Sequence, residues 1–151
     1  MAQAVLSGAD TLIINGRVLQ DLTDGNVGYL TFPNSVAAIK TGKNGNSLYA
    51  LNTTGYQADL KLRILRGSAD DKYLLGLYNS QQNNFAAFVL MQGSFVKQLG
   101  DGAGNINYDT YTCIGGIFVK PQEVMSNPEG NTEQNVTMYD IAFSNTARAI
   151  G

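Results

Sequence analysis

"ADLKLRILRGSADDKYLLGLYNSQQ", residues 58–82, changes its hydrophobic period part-way along, and that change decides the fold class. Over residues 58–66, Leu60, Leu62 and Ile64 alternate with Asp59, Lys61 and Arg63. A period of two puts the apolar set on one face of a β-strand and the charges on the other, so one face is core and the other is wet. The alternating signs of Asp59, Lys61 and Arg63 suit a cross-strand ion-pair ladder on the wet face. From Gly67 the period lengthens. Leu74, Leu77 and Tyr78 fall at i, i+3 and i+4, the stripe of an amphipathic helix over about residues 68–80. Ser68 is placed to cap it, its hydroxyl accepting from an early helical N–H, and Asp70 and Asp71 sit where the positive end of the dipole favours acids. Adjacent residues on a helix do not face each other, so this carboxylate pair reads as capping rather than as an acid–base couple. A helix this short is marginal alone, and Leu74 and Leu77 are expected to be buried against a sheet.

Outward from this stretch, 17 glycines and many asparagines separate short apolar runs, which predicts mostly β structure. "TLIINGRVLQ" is a hairpin about Asn15-Gly16, two residues that readily take the positive φ of a type I′ turn. "YLTF" is a short strand ended by Pro33, and "FAAFVLMQG", "SFVKQL", "DTYTCIGGIFVK" and "QNVTMYDIAF" supply the later strands. "IKTGKNGNSLYALN", residues 39–52, has a Gly-Lys pair but not a phosphate loop: Ala37 stands where the first glycine belongs, and Asn44 follows Lys43 where Mg²⁺ needs a hydroxyl. Between "SVAAIK" and "SLYALN" it reads instead as the connection of a long hairpin over about residues 35–52. Its Gly and Asn residues supply backbone freedom.

Composition narrows the function. At 151 residues and 44% hydrophobic, the chain forms one domain, 1–151, with enough core to need no metal or disulfide staple. The absence of histidine removes Ser-His-Asp and Cys-His nucleophile systems, His-ligated metals and the usual neutral-pH base, so neither enzyme chemistry nor a cofactor is expected. Cys113, between Thr112 and Ile114, has no basic neighbour in sequence to activate it and reads as a small core residue. "DGAGNINYD", residues 101–109, offers oxygens at Asp101, Asn105, Asn107 and Asp109, but Ala103 occupies a ligand position and Ile106 the sharp-turn glycine. It is expected to be a solvated loop. A net charge of −2 leaves no basic footprint for nucleic acid. The eight tyrosines and six phenylalanines are dispersed and form no stacking platform. "MAQAVLSGADTLII" has no basic residue before Arg17 and only short apolar runs, so it reads as neither signal peptide nor membrane span. Synthesis and retention in a cytoplasm are expected, which leaves the sequons at Asn52 and Asn135 without meaning.

Taken in order, "NGRVLQDLTDGNVGYLTFPN", "KTGKNGNSLYALNTTG", "LRILRGSADDKYL" and "EQNVTMYDIAF" resemble the tail tube proteins of tailed bacteriophages, in particular the short tube subunits of contractile-tailed phages. The resemblance runs from about residue 10 to 149 and rests on segment order: an early NG hairpin, a long Gly/Asn/Lys hairpin tip, a strand leading into the "RGSADD" helix start, and a final strand with a short tail. The "MAQAVLS" leader departs from the pattern.

The resemblance implies a β-sandwich or barrel-like core with one flanking helix. It also implies a homo-hexameric ring formed by joining inner sheets, with rings stacked into a hollow tube. Such a subunit is a structural part of the virion, assembled in the host bacterial cytoplasm. Its partners are itself, a sheath protein, the tape measure protein, and baseplate and tail terminator proteins. DNA passes transiently and without specificity, and the subunit itself binds no membrane. The segment Lys40, Thr41, Gly42, Lys43, Asn44, Gly45 and Asn46 would be the loop that reaches the adjacent ring. Asp59 and Asp140, on polar strand positions, are candidates to line a lumen that is net negative or near neutral. A small β-sandwich binding module on a virion or cell surface is the alternative, with tyrosine in place of the absent tryptophan as a stacking surface.

Overall fold

A computed structural model of the chain describes residues 5–20, 28–124 and 135–151. Parts of the leader and of the segments at 21–27 and 133–134 that carry the resemblance lie outside the described residues. The protein is mainly β, with one α-helix among the described residues. An eight-stranded antiparallel sheet runs in the order β2 (Arg17–Val18), β1 (Val5–Ile14), β7 (Met91–Gly100), β8 (Ile106–Phe118), β10 (Val136–Ile150), β6 (Ala58–Leu65) and β3 (Gly28–Thr31), with β9 (Glu123–Val124) also on β10. The hairpin of β4 (Ala37–Thr41) and β5 (Ser47–Leu51) forms a separate two-stranded sheet. No described helix is long and apolar enough to cross a membrane.

The eight-stranded sheet curls over its own core. Leu30 of β3 and Phe95 of β7, from opposite arms of the strand path, both pack on the buried cluster of Leu12, Leu60, Leu62, Met91 and Phe143. The arms approach so closely that a Cβ on Gly28 would lie 3.0 Å from the Phe95 ring. This is the β-sandwich or barrel-like core that the resemblance implies, and the alternation in residues 58–66 marks its buried face. Ala58, Leu60, Leu62 and Ile64 are buried, and opposite them on β10 stand Phe143, Ile141, Tyr139 and Thr137, also buried. Val136 and Met138 fall on the other face of β10.

The tight bend of the central pair is written as Gly115-Gly116. One extra residue on β8 interrupts its pairing with β7 between Met91 and Gly93. Gly115 takes φ 69°, and a Cβ there would sit 2.2 Å from Ser144 Oγ. Gly116 leaves room for Phe143, whose ring would lie 2.6 Å from an added Cβ. The bulge lets both strands turn without pushing that ring out of the core.

The helix α1 spans Ala69–Asn83, three residues further than the sequence predicts at its C-terminal end. Ser68 Oγ accepts from Asp71 N at 3.2 Å, as expected of the cap. Leu74 is fully buried, whereas Leu77 and Tyr78 are partly buried against the core, a correction to the expectation that Leu77 is enclosed. Asp70 and Asp71 do more than favour the dipole. Asp70 is 1% exposed, takes Arg17 Nε at 2.9 Å and Gln20 N at 2.6 Å, and so ties the helix start to the first hairpin. Asp71 turns away from it, accepting from Gly67 N, from Thr137 Oγ1 and from the Tyr139 hydroxyl. The two carboxylates face different strands, as helical geometry requires.

Three other segments differ from expectation. "FAAFVL" is not a strand: a 3₁₀ turn spans Phe85–Ala87 and β7 starts only at Met91. Residues 106–109, read as loop, belong to β8, and the C-terminal tail is the second half of β10. In both, the extension is held by pairing with a distant strand, Ile150 lying opposite Asp109.

Candidate functional site

The hairpin of β4 and β5 is the first candidate. Ala37, Ile39 and Thr41 stand opposite Leu51, Tyr49 and Ser47, and Ala38 and Lys40 opposite Ala50 and Leu48. All ten strand residues are exposed. Alternation therefore gathers Ile39, Tyr49 and Leu51 on one face, at 62%, 75% and 70% exposure. Sequence reasoning chose Lys40 to Asn46 for their flexibility and missed this apolar row. No apolar–polar alternation marks it, since Ala38, Leu48 and Ala50 on the other face are apolar too, and the strand register is what separates the row.

The tip is a three-residue loop. Gly42 N donates to Asn46 O at 2.7 Å, Gly45 N donates to Gly42 O at 3.1 Å, and Gly45 takes φ 81°. This is a type I turn closed by a left-handed glycine, and Lys43 and Asn44 occupy its exposed corners. The root is fixed more firmly. Asn52 N donates to Val36 O at 2.8 Å, and the 3₁₀ turn Thr53–Tyr56 packs so closely that a Cβ on Gly55 would lie 2.6 Å from Val36 Cα. Thr146 Oγ1 then donates to Tyr56 O at 3.2 Å, joining the root to β10.

Beside that root, Phe32, Val36, Tyr56, Tyr111 and Arg148 line a mainly apolar groove of about 490 Å³. Arg148 lies 5.3 Å over the Tyr111 ring and binds both oxygens of Asp109, at 2.9 and 2.8 Å. The guanidinium holds the Asp109 carboxyl below the usual carboxylate range. Its charge is thus already matched, and the groove presents a neutral surface. Asp101 is similarly engaged, accepting from Asn105 Nδ2, Ala103 N and Asn105 N, and chiefly the first of these holds its carboxyl below the usual carboxylate range. The carboxylate oxygens of Asp101 and Asp109, two of the four residues that suggested a calcium loop, are thus engaged with their own chain. Among the described residues no three His, Cys, Asp or Glu side chains converge on a metal position.

The non-core face of the large sheet is the second candidate. Asp59 and Asp140 both lie on it, half-buried, with Asp140 opposite Lys61 and Asp59 opposite Ala142. They are brought onto one face as their strand positions imply, but lysine and arginine interleave them. Along β7, β8 and β10 the same face continues through Val96, Gln98, Thr110, Thr112, Ala147 and Ala149. Lys97, Asp109 and Arg148 fall on the opposite side. Half of this surface therefore carries hydroxyls, amides and methyls and no formal charge.

Cys113 is the buried core residue expected, its thiol pushed up to about 11 by desolvation. Compared with known proteins, the chain matches no protein-family model and no curated sequence.

Proposed function

We propose that the chain is a structural subunit of a bacteriophage tail tube, in which hexameric rings stack into a hollow conduit for DNA. The observation that carries this reading is the projecting β4–β5 hairpin, whose Ile39, Tyr49 and Leu51 face has no cover among the described residues. A lone two-stranded hairpin is marginal in water, and a contiguous apolar row of this kind marks an interaction surface. Another copy, in the adjacent ring, supplies the cover, while open edges of the large sheet pair within a ring and are removed by its closure. Sheath, tape measure, baseplate and terminator proteins complete the assembly, and no catalysis is assigned to the subunit.

The lumen, on this reading, is lined by the sheet face that carries Asp59 and Asp140 at one end and uncharged side chains along the other. A basic lining would neutralise phosphates, release counterions and grip the duplex. A neutral to weakly acidic one lets it slide, with repulsion reaching only about one Debye length, ~8 Å at physiological salt.

Negative-stain imaging at raised protein concentration, alone and with tail initiation components, tests the proposal. Rings or tubes are expected. A species that stays monomeric under every condition overturns it. The neutral, aromatic groove beside Tyr56 and Tyr111 favours a second reading, a small ligand-binding module, since sites of this size and polarity hold small ligands. Saturable oligosaccharide or peptide binding by a monomer, lost in Tyr56→Ala, would support that module instead.

A further inference from the structure

Two Asn-Gly pairs, Asn15-Gly16 and Asn44-Gly45, occupy hairpin turns, and their surroundings differ in a way that bears on spontaneous backbone chemistry. A glycine after asparagine leaves the following amide nitrogen unhindered, because no Cβ shields it. We infer that Asn44 is a site of self-modification in the free chain, passing through a cyclic imide to aspartyl and isoaspartyl forms, while Asn15 is protected by the fold.

The step needs only water and base. The Gly45 backbone nitrogen gives its proton to hydroxide and attacks Asn44 Cγ, forming a C–N bond as ammonia leaves. Water then opens the five-membered imide at either carbonyl. One opening places a carboxylate on an ordinary backbone, and the other routes the backbone through the side-chain carbon.

Asn44 is exposed, and the attacking Gly45 nitrogen is held by one tip hydrogen bond at 3.1 Å. Asn15 is clamped to β7: its N–H donates to Gln92 O at 2.8 Å and its Oδ1 accepts from Gln92 N at 2.9 Å. Its Cγ cannot swing towards Gly16 until that clamp opens. Local opening at an exposed tip is nearly free, whereas freeing a side chain and backbone paired to a neighbouring strand is not. Conversion adds one negative charge to a tip that holds Lys40 and Lys43, and the isoaspartyl form breaks the turn that keeps Ile39 opposite Tyr49.

Peptide mapping by mass spectrometry after incubation at mildly alkaline pH tests this. The folded chain should convert the peptide holding Asn44 about tenfold or more faster than the one holding Asn15, given the hydrogen bonds that must first open. In denaturant the two rates should converge. Asn44→Gln should abolish the fast component, with the Asn15 rate unchanged as evidence that the variant is folded. Equal rates in the folded chain, or an Asn44 that stays intact while the denatured chain converts, overturn the inference.

Discussion

The side-chain amide of Gln81 closes two hydrogen bonds with the backbone of Phe118, Nε2 donating to the carbonyl and Oε1 accepting from the N–H, each at 2.8 Å and both buried. A helix side chain thereby takes the place of a neighbouring strand where β8 leaves the sheet. Gln81→Leu strands both groups, and at about 1–3 kcal/mol for each buried unsatisfied group the expected loss is roughly 2–6 kcal/mol in urea unfolding. A loss near zero would mean that water reaches Phe118.

The helix stripe should be graded. Leu74→Ala is expected to cost about 2–5 kcal/mol, the range for an enclosed leucine. Leu77→Ala, only partly buried, should cost less, roughly 1 kcal/mol, close to the centre of the distribution for single substitutions. Equal losses at the two positions would show that Leu77 is enclosed after all.

Gly116→Ala tests the bend. Its Cβ would meet Phe143 Cε1 at 2.6 Å, well inside contact distance, and overpacking of this kind costs typically about 1–3 kcal/mol. Coupling with Phe143→Leu gives the check: the penalty at Gly116 should shrink when the ring is removed.

Alkaline pH should weaken the fold through Tyr139. Burial first, and then the Asp71 carboxylate that its hydroxyl contacts, push its ionisation well above that of an ordinary tyrosine. The folded state thus favours the neutral phenol, so this contribution is complete below about pH 10, the ordinary tyrosine value, and fades as pH rises above it. Tyr139→Phe should show a flatter fall in stability between about pH 10 and 12 than the parent, even if its neutral-pH stability is lower. Parallel curves for the two proteins would refute the assignment.

Replacing residues 42–46 by a two-residue Asn-Gly turn should leave the circular dichroism and melting of the core unchanged, because hairpin tips tolerate such changes. Tube growth should stop. Ile39→Lys should do the same by placing charge in the apolar row. Normal long tubes from either variant remove the hairpin from the assembly interface. Thr110→Lys with Thr112→Lys should, by contrast, assemble and retain duplex DNA at low salt, with a steep loss as salt rises.

Periodicity, turn chemistry and capping determined the mainly β class, the face of β6 that is buried, the Asn15-Gly16 hairpin, the Ser68 cap and the existence of the long hairpin, because each depends on neighbours within a few residues. The same local logic placed the tip within Lys40–Asn46, of which Lys40 and Thr41 are instead the paired end of β4, because their register against Leu48 and Ser47 extends the ladder as far as Thr41. Only the tertiary structure decided what no local rule encodes. It turned the 101–109 loop into half a strand by setting Ile150 opposite Asp109 and committed Asp109 to Arg148. It also sent Asp70 to Arg17 and Asp71 to Tyr139, contacts made across 53 and 68 residues of chain. "FAAFVL" failed as a strand for the same reason: its composition suits a sheet, but β-propensity records fit to a pleated, half-buried surface, and there Phe85 and Val89 stand in solvent. Strand pairing and ion pairing between distant segments depend on how the sheet curls, and the curl is a property of all the strands together.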